Sequence, residues 1–71
     1  MQHWACEVRT FDLHRNIVGK PTRHSFETYD QARQFANHFV GRHPNVGAVV
    51  FALRRGDPRD ASFVPGEVHD Q

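Results

Sequence analysis

The fold of this chain is decided by residues 28 to 40, which read TYDQARQFANHFV. Small and aromatic side chains recur there at helical spacing, namely Ala32, Phe35, Ala36 and Phe39, with Val40 beside them. Positions three and four apart share one face of an α-helix. The stretch therefore predicts an amphipathic helix whose apolar face packs on a second layer of structure.

Both ends of this predicted helix carry capping signals. The hydroxyl of Thr28 can accept a hydrogen bond from a free amide of the first turn, and Gln31 can reach back to the backbone of Thr28. Gly41 can adopt the left-handed conformation that closes a helix, and Pro44 cannot continue one. We therefore expect the helix to end near Gly41 or Arg42.

Strand-like segments precede and follow the helix. Alternation of apolar and polar residues from Trp4 to Val8 predicts a half-buried first strand, and Phe11 falls out of phase at its end. Residues 17 to 27 predict a second strand, which Pro21 places on an edge because proline cannot donate to a sheet ladder. The apolar, β-branched run 46 to 53 predicts an internal third strand.

The end of the chain is expected to add a short strand and a flexible tail. Residues 61 to 64 could fold back as a fourth strand after the turn at residues 56 to 58. Residues 67 to 71 predict a flexible acidic tail beyond a single domain of residues 1 to 66. The predicted fold is α+β, of the form ββαβ(β). It has a small antiparallel sheet in the order 2-1-3, or 2-1-3-4 with the last strand, and one helix on one face.

Composition narrows the classes of function. A chain of 71 residues buries only about 60% of its unfolded surface, which leaves little room for an interior active site. Its single cysteine excludes an intrachain disulfide framework and indicates a reducing compartment. No apolar run approaches the length of a membrane span, and the first residues lack a signal-peptide pattern. We expect a cytoplasmic protein without membrane contacts.

The residues that could carry chemistry form no recognised constellation. The six histidines are scattered, and His38 and His43 are five residues apart rather than four, so no metal site is expected. Cys6 alternates with Trp4 and Val8 on the predicted core face, where a thiol packs rather than reacts. No phosphate-binding loop or nucleophile elbow is present. We expect no enzymatic activity and no cofactor.

Charge is uneven along the chain, although the net charge is only +1. Residues 1 to 55 carry a balance of +4 and residues 56 to 71 a balance of −3. Basic and aromatic side chains of the first strand and the following hairpin are the candidate partner-binding residues: Arg9, Phe11, Arg15, Lys20 and Arg23. A mildly basic body with an acidic end can attract a polyanion, or it can simply keep the protein solvated.

These side chains support two hypotheses. If Arg9 and Arg23 share the solvent face of the sheet, they form a basic stripe that can contact phosphates, and an exposed Phe11 can stack on a base. Glu7 and Glu27 are expected on the same face, where they dilute the stripe. Alternatively, a few large or guanidinium side chains can form a patch that binds a protein.

About half of the chain follows one strand-turn-helix pattern, carried by Trp4, Val8, Gly19-Lys20, Arg23, Phe26-Glu27-Thr28, Ala32 and Phe35. The pattern resembles the three-stranded arm-type DNA-binding domain at the amino end of tyrosine recombinases. In that family a sheet contacts DNA and a helix braces the sheet. The resemblance implies direct nucleic-acid binding.

In format, the chain is similar to small phage and mobile-element accessory proteins, including anti-CRISPR proteins. The similarity lies in its size, near-neutral charge, α+β layout and lack of a catalytic pattern. It implies a non-enzymatic binding module that occludes a surface of a protein or nucleoprotein partner, and this is our first hypothesis. Nucleic-acid binding by the basic solvent face of the sheet is the alternative.

Overall fold

Four strands and one α-helix make up the protein, and the computed structural model describes all 71 residues. The strands are β1 (Trp4–Phe11), β2 (Ile17–Phe26), β3 (Val46–Ala52) and β4 (Val68–Asp70), and the helix is α1 (Tyr29–Arg42). Two 3₁₀ turns, Leu53–Arg55 and Asp60–Ser62, lie between β3 and β4. No helix is long and apolar enough to cross a bilayer.

The strands form one mixed sheet in the order β2-β1-β3-β4. β1 pairs antiparallel with both β2 and β3, whereas β4 pairs parallel with β3. The α+β class and the strand order 2-1-3-4 are thus confirmed. The expectation of a purely antiparallel sheet is corrected, because the chain crosses the sheet after β3 and enters β4 in the same direction.

The fourth strand lies later in the chain than predicted. Residues 61 to 64 do not form it, because they continue from a 3₁₀ turn into a segment that buries Phe63. Residues 67 to 71 were expected to be a flexible tail, yet they contain β4, which pairs with residues 48 to 50 of β3. A buried central strand needs partners for its backbone groups on both edges, and β1 supplies them on one edge of β3 and β4 on the other.

The boundaries of α1 follow from its caps. Thr28 Oγ1 accepts a hydrogen bond from the Gln31 amide at 3.2 Å, and Gln31 Oε1 accepts one from the Thr28 amide at 3.3 Å. This capping box satisfies two amides that the helix itself leaves free. The helix continues through Gly41 and ends at Arg42, with His43 as its C-cap.

One side of α1 packs on the sheet. Ala32, Ala36 and Val40 are buried there, whereas Phe35 and Phe39 are only half-buried. The facing residues of the sheet are the alternate positions of β1 and β3: Cys6, Val8, Val46, Ala48 and Val50. This layer is the main core, and small residues on the helix let it approach the sheet closely.

The other face of the sheet is covered by residues 53 to 66, which we call the strap. Phe63 of the strap packs with Phe11 and Val49 in a second buried cluster. The strap passes so close to Gly47 that a Cβ atom at this position would lie 2.6 Å from the carbonyl oxygen of Val64. Glycine at position 47 is therefore what allows the strap to lie on the sheet.

Candidate functional site

The five predicted partner-binding residues separate into two groups. Arg9, Phe11 and Arg23 belong to the side of the sheet that the strap covers. Arg15 and Lys20 belong to the exposed β1–β2 hairpin. The structure therefore does not bring the five residues together on one surface.

Glu7 holds both arginines of the first group beneath the strap. Its side chain is only 7% exposed. Oε2 of Glu7 accepts hydrogen bonds from Arg9 Nε at 3.0 Å and Arg9 Nη2 at 2.9 Å, and Oε1 accepts one from Arg23 Nη2 at 2.8 Å. Hydrogen bonds between a guanidinium and a carboxylate are assisted by charge and are roughly twice as strong as neutral ones. Both carboxylate oxygens of this buried residue are thus paired.

Two aspartates of the strap complete this ion-pair network. Asp60 pairs with Arg9 Nη1, and Asp57 Oδ1 accepts a hydrogen bond from Arg23 Nη2 at 2.6 Å. Burial acts to lower the pKa of Arg9, but its hydrogen bonds to Asp60 and Glu7 outweigh burial, so this pKa is raised. The hydrogen bonds of Arg23 to Glu7 and Asp57 likewise raise its pKa. Both arginines are held charged and neutralised within the fold.

Aromatic rings support the same arginines. The Arg9 guanidinium lies over the Phe63 ring, 3.9 Å from its centroid, and that of Arg23 lies 5.1 Å from the centroid of Phe51. Such cation–π contacts hold a guanidinium in place when water is excluded. The Arg9 side chain is 11% exposed and that of Arg23 is 39% exposed. Arg9 is therefore almost fully engaged inside the protein.

The expectation of an exposed Phe11 is wrong. Phe11 is only 7% exposed, because it lies on the same side of β1 as Glu7 and Arg9 and the strap covers that side. No stacking on a base is open to it in this fold. The face predicted to be a basic solvent surface is instead a covered face whose charges are balanced.

The β1–β2 hairpin, by contrast, presents large apolar side chains to solvent. Leu13 at the tip is 100% exposed, and Ile17 and Val18 at the start of β2 are 44% and 42% exposed. The sequence offered one signal for this, since Leu13 is an apolar residue within an otherwise polar turn. Sequence reasoning placed a hairpin after the first strand and missed Leu13 as a candidate for binding.

The tip of the hairpin is an ordered turn. Oδ1 of Asp12 accepts hydrogen bonds from the amides of His14 at 2.8 Å and Asn16 at 2.9 Å. The bond from Asn16 is the main reason that the pKa of Asp12 is lowered. Arg15 adopts a left-handed conformation, with φ of 64°. These bonds restrain the backbone next to Leu13, so the apolar side chain is presented from a defined position.

Arg15 and Lys20 have no carboxylate partner. Lys20 lies in a bulge of β2. Val8 and Thr10 are two positions apart on β1, but their partners Thr22 and Val18 are four positions apart on β2. Gly19, with φ of 73°, allows this bulge. The hairpin therefore carries two uncompensated positive charges beside its exposed apolar side chains.

The backbone of β2 has one unpaired edge, and the register shows which groups point to it. Phe11 donates its amide to Asn45, and Leu53 donates its amide to His3, so odd-numbered residues of β1 direct their backbone groups toward β3. Backbone groups alternate in direction along a strand. The even-numbered residues of β1 consequently face β2.

Cys6 lies opposite His24 and Trp4 lies opposite Phe26. The even-numbered residues of β2 therefore bond to β1 in this stretch. Arg23 and Ser25 direct their N–H and C=O groups away from the sheet, where no other strand pairs. Pro21 correctly predicted that β2 is an edge strand.

A row of neighbouring aromatic rings, tilted against one another, lies beside this edge, on the helix side of the sheet. We call it the aromatic row, and it consists of Phe26, His24, Phe35, Phe39 and His43. Phe35 connects the two layers, with its ring centroid 4.5 Å from that of His24 and 5.4 Å from that of Phe26. A shallow groove continues from the row and is lined by Ser25, Phe26, Glu27, Gln31, Phe35 and His38. Contiguous half-exposed aromatic surface of this kind is typical of contact sites.

The groups most often used in catalysis or metal binding lie elsewhere. Cys6 is fully buried, and burial raises the pKa of its thiol to about 12. No three side chains among His, Cys, Asp and Glu are placed to hold a metal ion together. The candidate site is therefore the hairpin and the adjoining edge of β2. Comparisons with models of protein families, with curated proteins and with solved structures gave no match to this chain.

Proposed function

We propose that the protein is a small non-enzymatic binding module that docks on a protein or nucleoprotein partner through the β1–β2 hairpin and occludes part of the partner's surface. The observation that carries this proposal is Leu13, which is fully exposed at the tip of an ordered turn. Ile17 and Val18 at the start of β2 are also partly exposed, one on each face of the hairpin. Large exposed apolar side chains at one end of a small domain favour a role in contact with another molecule.

The charges of the hairpin indicate the chemistry of this partner. Arg15 and Lys20 are unpaired, whereas Arg9 and Arg23 are neutralised by Glu7 and by the aspartates of the strap. A surface that receives Leu13 in an apolar pocket and offers carboxylates around that pocket would complement the hairpin. Protein interfaces concentrate their binding energy in a few well-packed, desolvated side chains, among which arginine is common.

We place this module among small phage or mobile-element accessory inhibitors of the anti-CRISPR kind. The support for this placement is its format, since a 71-residue α+β domain carries one projecting hairpin and no cluster of metal-ligating side chains. An inhibitor that acts by occlusion needs a rigid surface rather than a catalytic cavity.

The alternative of nucleic-acid binding by the sheet has less support. It requires a free basic face, and that face is covered by the strap and contains the Glu7 network. The basic side chains that lack a carboxylate partner are spread over the hairpin, the end of α1 and the strap: Arg15, Lys20, Arg42, Arg54, Arg55 and Arg59. Tight phosphate binding needs such charges on one surface.

Affinity capture with hairpin variants tests the proposal. The tagged protein would be used to capture its partner from lysate of a plausible host, with and without nuclease. We expect nuclease-resistant capture that Leu13→Ser and Arg15→Glu each weaken by about tenfold or more. Arg55→Glu is the matched control, because Arg55 is exposed and unpaired but lies outside the hairpin. Unchanged capture by both hairpin variants, with and without nuclease, would contradict the proposal.

A further inference from the structure

We propose that the outer edge of β2 receives an extended segment of the partner as a fifth strand, with a side chain of that segment seated in the groove beside the aromatic row. This inference rests on the proposed function and names how the partner is held. The observation behind it is one juxtaposition. Free backbone groups at Arg23 and Ser25 lie next to a groove floored by Phe26 and Phe35.

Strand addition uses the backbone of an edge for affinity and side-chain pockets for specificity. Arg23 and Ser25 supply the first requirement, since each directs one N–H and one C=O group away from the sheet. An added strand would lie about 4.8 Å from β2 and could bond to both residues. The remaining edge of the sheet offers less, because β4 is only three residues long.

The groove supplies the second requirement. Phe26 and Phe35 form an apolar floor, and Gln31 and His38 of α1 stand at its sides. Side chains of an extended segment alternate between the two faces of the sheet, so every second one would point toward α1. The groove would take an apolar or aromatic side chain at one of these positions.

The ends of the paired stretch differ in charge. Lys20 lies at one end and Glu27 at the other, and neither has an ion-pair partner within the protein. An added segment that runs antiparallel to β2 therefore fits best with a basic residue first and an acidic residue last. The bulge at Gly19 and the missing donor of Pro21 limit regular pairing to residues 22 to 26.

A second copy of the chain fits this edge less well than a partner segment. The register in which Arg23 of one copy bonds with Ser25 of the other would place Lys20 opposite Thr28 and Glu27 opposite Pro21. Neither charge would then meet an opposite charge. A heterologous segment can supply both complementary charges, so we assign the edge to the partner.

A synthetic probe peptide tests this directly. Acetyl-Lys-Phe-Thr-Val-Thr-Val-Thr-Glu-amide spans the eight positions opposite residues 20 to 27, with Lys at Glu27, Phe at Phe26 on the helix side and Glu at Lys20. A peptide with its Lys and Glu exchanged is the matched control. Titration of the ¹⁵N-labelled protein should shift the amide resonances of Arg23 and Ser25 and slow their hydrogen exchange. We expect weaker binding of the exchanged peptide. Absence of these shifts at Arg23 and Ser25 at the solubility limit of the probe would overturn the inference, as would a dimer formed through β2.

Variants of the edge separate backbone pairing from other causes. Ser25→Pro removes one outward N–H and no bond to β1, which an edge strand can accommodate. We expect about a tenfold loss of probe binding, whereas Ser25→Ala keeps the donor and should bind like the wild type. If Ser25→Pro does not fold, His38→Glu serves instead, because it leaves the backbone intact and places a charge at the groove. Equal binding of the probe by Ser25→Pro, His38→Glu and the wild type would refute strand addition.

Partner capture then distinguishes this inference from the proposed function. Loss of capture by Leu13→Ser, with full capture by both Ser25→Pro and His38→Glu, would retain docking by the hairpin and refute strand addition. Loss of capture by Ser25→Pro but not by Leu13→Ser would retain the edge as the docking element and refute the hairpin. Loss of capture both by Leu13→Ser and by the edge variants Ser25→Pro and His38→Glu would support a continuous interface from the tip of the hairpin to the groove.

Discussion

Replacement of Glu7 by glutamine should destabilise the protein strongly, although the two side chains have nearly the same shape. Removing one partner from a fully buried ion pair costs about 3–5 kcal/mol, because the remaining charge loses its compensation. Arg9 keeps Asp60 and the partly exposed Arg23 keeps Asp57, so part of this cost is recovered. We expect a loss of about 2–3 kcal/mol in the free energy of unfolding.

This loss is large relative to the total stability. A domain of 71 residues has an unfolding free energy of about 4–10 kcal/mol. The melting temperature should fall by about 10–20 °C, and the urea midpoint by about 1–3 M. The single tryptophan, Trp4, packs edge-on against Tyr29, with the two ring centroids 5.2 Å apart. Its fluorescence should therefore report unfolding.

Glu27→Gln is the matched control, since Glu27 is exposed and has no ion-pair partner. It should change stability by less than about 0.5 kcal/mol. If Glu7→Gln changes stability no more than Glu27→Gln does, the network is not what holds the strap on the sheet, and the argument from buried charge is wrong.

Three further predictions concern the core and the C-terminal strand. Gly47→Ala should lower the melting temperature, because the strap backbone leaves no room for a Cβ atom. Gly41→Ala should keep or raise the melting temperature, because no atom lies within 4 Å of the Cβ atom that it adds and alanine favours a helix. Cys6, whose pKa is raised to about 12 by burial, should react slowly with a thiol reagent in native protein and quickly in urea. Tyr29, the only tyrosine, donates to Asp70, which raises its pKa; ultraviolet titration should place this pKa above the ordinary value, and Asp70→Asn should lower it. The hydrogen bond from Tyr29 therefore stabilises the folded protein fully at pH values below the pKa that Tyr29 has in the unfolded chain. This stabilisation is lost as the pH rises through the higher pKa that Tyr29 has in the folded protein.

Local signals predicted the elements of the fold well. Thr28 and Gln31 fixed the start of α1, because a capping box depends only on residues three apart. Pro21 identified β2 as an edge strand, and this led to the correct strand order. The end of the chain was harder to predict. The three residues of β4 carry a weak pattern, and their pairing depends on the path of the strap across the sheet.

The candidate site was predicted only in part, because exposure depends on tertiary structure. Alternation placed Glu7 and Arg9 on one face of β1 correctly, and Arg23 proved to lie beside them. Nothing in that pattern indicated that Asp57 and Asp60 would cover the same face, so the arginines were interpreted as free. Arg15 and Lys20 remain candidate partner-binding residues on the exposed hairpin.

The spacing of Asp57 and Asp60 constrains the length of the strap more tightly than its composition. The two carboxylates flank the buried Pro58 and reach arginines on two neighbouring strands, Arg23 on β2 and Arg9 on β1. Inserting or deleting one residue between them would displace one carboxylate from its arginine while the other stayed in place. Residue types could vary at the exposed positions of the strap, but the interval from 57 to 60 could not. Engineering of the strap should therefore keep the number of residues between Asp57 and Asp60 constant, even where the residue types are changed.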